Sequence, residues 1–90
     1  MTGERRLAWR AWLTELRAVA LEGKDVDPSE TRYPGEDDAD DPVVESYGRT
    51  LMVWLMKRDF NHRVAHRDFE AMLVLASERL DELERRERQG

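Results

Sequence analysis

Along most of this chain apolar residues recur at steps of three and four, the period of one helix face, and a single polar stretch interrupts them. Trp9, Trp12, Leu13, Leu16 and Ala20 keep that step and predict a first helix over about 4–22, stopped by Gly23. Val44, Tyr47, Leu51, Trp54 and Leu55 keep it again over about 42–60, with Asp41 as N-cap and Pro42 at the first helical position. From about 66 to 88, Phe69, Leu73, Ala76, Leu80 and Leu83 alternate steps of four and three, a heptad-like seam whose last turns are almost wholly charged. The sequence carries no sustained apolar and polar alternation and no Asn-Gly or Asp-Gly turn, so no strand competes.

Two six-residue apolar runs, Leu51 to Met56 and Ala71 to Ala76, lie symmetrically about residues 63 and 64. With Asn61 to Ala65 as a turn, an antiparallel hairpin of the second and third helices sets these runs side by side. The expected fold is therefore all-α: a three-helix domain over 1–90, with that hairpin and a long acidic linker, 23–41, between the first and second helices. Pro28, Pro34 and Pro42 all fall in or next to this linker, as do Gly35 and the run Glu36 to Asp41. Proline removes a backbone donor and like charges repel, so a regular helix over 34–41 is not expected, although Asp27, Pro28 and Glu30 fit one helical start earlier. Tyr33 is expected to anchor the linker on the core, its hydroxyl at the surface.

Charge changes this picture by being local. The chain's 20 acids and 15 bases give a net charge of -5. Residues 25–45 hold nine acids and only Arg32, whereas 46–67 hold five bases and Asp59. Outside its middle segment the chain is mildly basic, but the net charge of -5 argues against a uniformly basic nucleic-acid-coating surface. With no cysteine there is neither a disulfide framework nor a thiolate nucleophile. The opening Met-Thr-Gly-Glu-Arg-Arg lacks the apolar run of a signal peptide, and the longest apolar runs fall far short of a bilayer, so the expectation is a cytoplasmic protein without a membrane partner.

Three groups are candidates for contact with a partner. Leu51 to Met56 exceeds one full helical turn, so apolar side chains project all round the second helix. Leu51, Met52, Trp54, Leu55 and Met56 are accordingly expected to support self-association, with a homodimer as the simplest outcome. The acids Glu36, Asp37, Asp38, Asp40 and Asp41 form a loop whose carboxylates repeat at a spacing comparable to strand phosphates. Lys57, Arg58, Arg63 and Arg67 gather at the hairpin junction as a basic patch, yet the third helix opens with Phe69, Met72 and Leu73 rather than base-reading polar residues, so direct nucleic-acid binding is not expected.

Other constellations point to no chemistry. His62 and His66 stand four apart but lie across the turn without further ligands, so no metal or cofactor is expected. The acidic run lacks the register of a calcium loop. Ser29, Ser46 and Ser77 have no histidine in a recognisable relation, and no catalytic residues are assigned. Of Trp9 and Trp12, three apart on one face, one is expected in the core and the other partly exposed, with Arg5, Arg6 and Arg10 matched by Glu4 and Glu15. These observations favour a non-catalytic protein-interaction module or small accessory subunit acting through helix–helix association, which also meets a larger protein. The alternative is an acidic inhibitor, of the phage anti-defence type, that blocks a basic nucleic-acid-binding site on its target.

Overall fold

The computed structural model describes residues 1–20, 22, 33–35, 40–61 and 66–89, with the side chains of 20, 57–61 and 66 excepted. Three helices make up almost all of this: α1 (Gly3–Ala20), α2 (Pro42–Asn61) and α3 (His66–Gln89). Their bounds lie within two residues of those read from periodicity, and no strand occurs among the described residues. The expected stop at Gly23, the helical turn after Asp27, most of the acidic linker and the turn 62–65 lie outside the described residues.

The starts of α1 and α2 each have a local cause. Thr2 caps α1, its hydroxyl accepting the Arg5 amide at 3.2 Å while its carbonyl accepts the Arg6 amide at 3.0 Å. Asp41 caps α2 as expected, Oδ2 accepting the Val44 amide at 3.2 Å, and Pro42 fills a first position whose amide would lack a partner in any case. α3 needs no such detail to be recognised: its step of four and three puts Phe69, Leu73, Ala76 and Leu80 in the core, and Leu83 packs partly buried against them.

Helices α2 and α3 run antiparallel and pack closely, and α1 runs antiparallel to α3 along the other side. Their shared core holds Trp9, Trp12, Leu13 and Leu16 from α1, Val44, Leu51 and Leu55 from α2, and Phe69, Leu73, Ala76 and Leu80 from α3. Trp9 and Trp12 are 0 % and 1 % exposed, which corrects the expectation that only one of them is core. The reason is Tyr33, which folds over them from the linker. Its ring stands edge-on to Trp9 at 5.6 Å and tilted to Trp12 at 5.0 Å, while the two indoles meet edge-on at 5.6 Å.

The indole of Trp9 also requires a missing side chain on α2. A Cβ on Gly48 would lie 2.5 Å from Cζ3 and 2.6 Å from Cη2 of that ring, so glycine is what lets α1 approach α2 here. Beyond Tyr33, Gly35 adopts φ of +82°, the left-handed region open to glycine, directly after Pro34.

Candidate functional site

Asp40 and Asp41 sit side by side at the mouth of α2 and face different helices. The Asp40 side chain is 0 % exposed. Arg5 of α1 grips it with two nearly parallel bonds, Nε to Oδ1 at 3.0 Å and Nη2 to Oδ2 at 2.6 Å, and Trp9 Nε1 donates to Oδ2 at 3.0 Å. Nη2 of Arg5 also donates to the Pro34 carbonyl at 3.1 Å. The Arg5 hydrogen bonds hold the Asp40 carboxyl below the ordinary range against the opposing effect of burial, with Trp9 adding to them. Asp41 is gripped in the same two-pronged way by Arg79 of α3, Nε to Oδ2 at 2.9 Å and Nη2 to Oδ1 at 3.0 Å. That pair lowers the Asp41 pKa and raises that of Arg79. One dipeptide thus ties α1, α2 and α3 together.

This changes the standing of the acidic loop. Asp40 and Asp41 face inward and hold the fold, while Glu36, Asp37 and Asp38 lie outside the described residues. The expected local matching of arginines on α1 is also corrected: Arg10 reaches Asp81 at 2.5 Å and Glu84 at 3.4 Å, Arg17 reaches Glu70 at 2.8 Å, and Arg6 pairs with Glu87, all across to α3. Sequence spacing could not show these partners, because helix–helix neighbours lie up to 81 residues apart.

The self-association residues divide in two. Leu51 and Leu55 belong to the core of the protein itself, whereas Met56 is 54 % exposed and Met52 and Trp54 are partly buried. Exposed apolar residues not singled out by the sequence join them: Val43 at 38 %, Val53 at 48 % and Leu75 at 43 %, with Val74 also exposed. Their signal was present, since Val43 neighbours the core stripe and Val74 and Leu75 lie within the second apolar run. Periodicity alone does not say on which side of α3 the helix α1 docks, and that choice decides which flank stays open.

The open flank is a groove between α2 and α3 of about 560 Å³. Val43, Tyr47 and Leu75 supply its apolar surface, and Glu78, Arg79 and Glu82 are among its charged walls. Arg79 is tied to Asp41 and Glu82, whereas Glu78 makes no ion pair among the described residues. No residue of α1 reaches this groove. On α2 the residues Val43, Tyr47, Thr50 and Trp54 follow one another at steps of four, three and four, which at 100° per residue is a single line along the helix, beside the buried line of Val44, Leu51 and Leu55.

The basic patch is only partly placed: Arg67 is 91 % exposed beside Asp68, the backbone of Lys57 and Arg58 lies in the last turns of α2, and Arg63 lies outside the described residues. Among the described residues no three His, Asp or Glu side chains converge as a metal site, and no helix is long and apolar enough to cross a membrane. Compared with known protein families, curated proteins and solved structures, the chain matches none.

Proposed function

We propose that this chain is a non-catalytic protein-interaction module that acts through helix–helix association, with a second copy of itself as its first partner. The observation that carries this reading is the α2/α3 groove, where exposed Val43 and Leu75 flank half-buried Tyr47 and no element among the described residues covers them. Isolated exposed apolar side chains are ordinary on any surface, but a set of them lining one groove is the usual mark of a contact site. The acidic-inhibitor reading requires the loop carboxylates to face outward, and the inward engagement of Asp40 and Asp41 favours the module instead.

Sedimentation equilibrium tests it. Between about 1 and 100 μM, the range in which weak specific contacts form, the mass should rise from that of the 10.6 kDa chain toward twice that value. A mass that stays at the monomer value throughout would remove self-association from the account.

A further inference from the structure

Between α1 and α2, Tyr33, Pro34 and Gly35 lie against α1, where contacts with Trp9, Trp12 and Arg5 hold them. The Tyr33 ring stands edge-on to Trp9 at 5.6 Å and tilted to Trp12 at 5.0 Å, and Nη2 of Arg5 donates to the Pro34 carbonyl at 3.1 Å. That same Nη2 donates to Oδ2 of Asp40 at 2.6 Å, while Nε meets Oδ1 at 3.0 Å. The two-pronged grip fixes the plane of the guanidinium, so Asp40 sets the direction in which Arg5 reaches Pro34. Gly35 then turns the chain at φ of +82°. Among the described residues a Cβ there would meet only the Tyr33 carbonyl, at 3.9 Å, so the positive φ and not crowding selects glycine.

Under this segment lies a buried N–H without an acceptor among the described residues, Nε1 of Trp12, in a side chain 1 % exposed. A donor that gives up water and gains no partner is costly, and the cost favours any excursion in which water returns to it. The other apolar residues clustered with Trp12 belong to the three helices or, for Met1, to the start of the chain; Tyr33 alone among the described residues comes from the connecting segment. We infer that residues 33–35 form a strap, pinned by the Arg5–Asp40 pair, that lifts from α1 while the three helices stay packed, and that water reaches Trp12 Nε1 by this route. Trp9 behaves differently in such an opening. Its Nε1 donates to Asp40 at 3.0 Å, and Asp40 adjoins the cap of α2, so this bond does not leave with the strap. The opening is independent of self-association, since no strap residue lines the α2/α3 groove.

Hydrogen exchange of the indole N–H groups, followed by nuclear magnetic resonance on the whole chain in rising urea below the unfolding transition, tests the strap. Exchange that needs global unfolding accelerates steeply with urea because the whole core is exposed, whereas lifting three residues exposes little and responds weakly. The inference predicts that the Trp12 Nε1 proton exchanges by a step that urea barely changes. Its opening should be about tenfold or more as frequent as that of the mid-helix Leu51 and Leu73 amides, with the Trp9 Nε1 proton slower than that of Trp12. Gly35→Ala leaves the core untouched and strains only the closed strap, since an L side chain at positive φ costs the equivalent of about a tenfold shift in equilibrium. The variant should therefore speed exchange at Trp12 by about tenfold. Exchange at Trp12 with the urea dependence of the Leu51 and Leu73 amides would overturn the strap, because the indole would then meet water only on global unfolding. Urea-insensitive exchange that Gly35→Ala leaves unchanged would overturn it too, since water would then reach Trp12 without the strap moving.

Discussion

Trp9 shows how one side chain can impose conditions on distant parts of the chain. Its nitrogen needs an acceptor, which Asp40 supplies, and its ring needs space, which Gly48 supplies. Trp12 is equally buried, yet among the described residues its Nε1 has no hydrogen-bond partner, whereas Trp9 is fixed at both ends. The sequence marked both residues as helix-face aromatics but gave no hint that Gly48, in the middle of a helix, is there for a ring 39 residues earlier. Gly48→Ala separates local preference from packing. Alanine gains about 1 kcal/mol of helix propensity over glycine, whereas forcing a methyl to within 2.5 Å of a pinned indole carries an overpacking penalty of about 1–3 kcal/mol. Urea denaturation of the variant should therefore show a net loss of stability, and an unchanged or raised midpoint would mean that Trp9 moves freely.

At the scale of elements, the three helices were legible because each carries its own period, and the first two carry stop or start signals as well. Phe69, Leu73, Ala76 and Leu80 needed nothing beyond their spacing, and Asp41 with Pro42 marked the start of α2. What joins the elements was not legible. The acidic run read as a solvated loop, because nothing in the sequence distinguishes Asp40 from the three acids before it and Asp41 was marked only as a cap; the position of Arg5 and Arg79 in space turns both inward. The difference has a consequence in acid. Both carboxyls are held below the ordinary value by their arginines, so the native state binds fewer protons than the unfolded chain, whose aspartates titrate near about 3.9. Their stabilisation is whole at neutral pH and drains away as pH falls from about 5 through 3.9 and then through the lowered native values. An Asp40→Asn, Asp41→Asn double variant should be less stable at pH 7 and lose less stability on acidification, as followed by denaturant midpoints between pH 7 and 3. Parallel curves for the variant and the wild type would show that other carboxylates carry the acid sensitivity. The exposed Arg10 and Arg17 pairs across α1 and α3 are solvated and contribute little to this balance.

The whole molecule is an elongated three-helix body of 44 × 23 × 19 Å in which one flank, between α2 and α3, has no covering element among the described residues. The sequence announced excess apolar surface through Leu51 to Met56, but Leu51 and Leu55 are core, and the exposed apolar residues of α2 and α3 are Val43, Val53, Met56, Val74 and Leu75. Which residues of an all-round apolar helix remain outside depends on where the third helix docks, a whole-molecule property that no local pattern carries. Self-association through that flank is tested most directly by an isotope-filtered nuclear Overhauser experiment on an equal mixture of labelled and unlabelled protein. The account predicts intermolecular cross-peaks from the methyl groups of Val43 and Leu75, the exposed apolar residues of the groove. A protein that gives no intermolecular cross-peaks, or a dimer whose cross-peaks come from elsewhere with none from Val43 or Leu75, would contradict it.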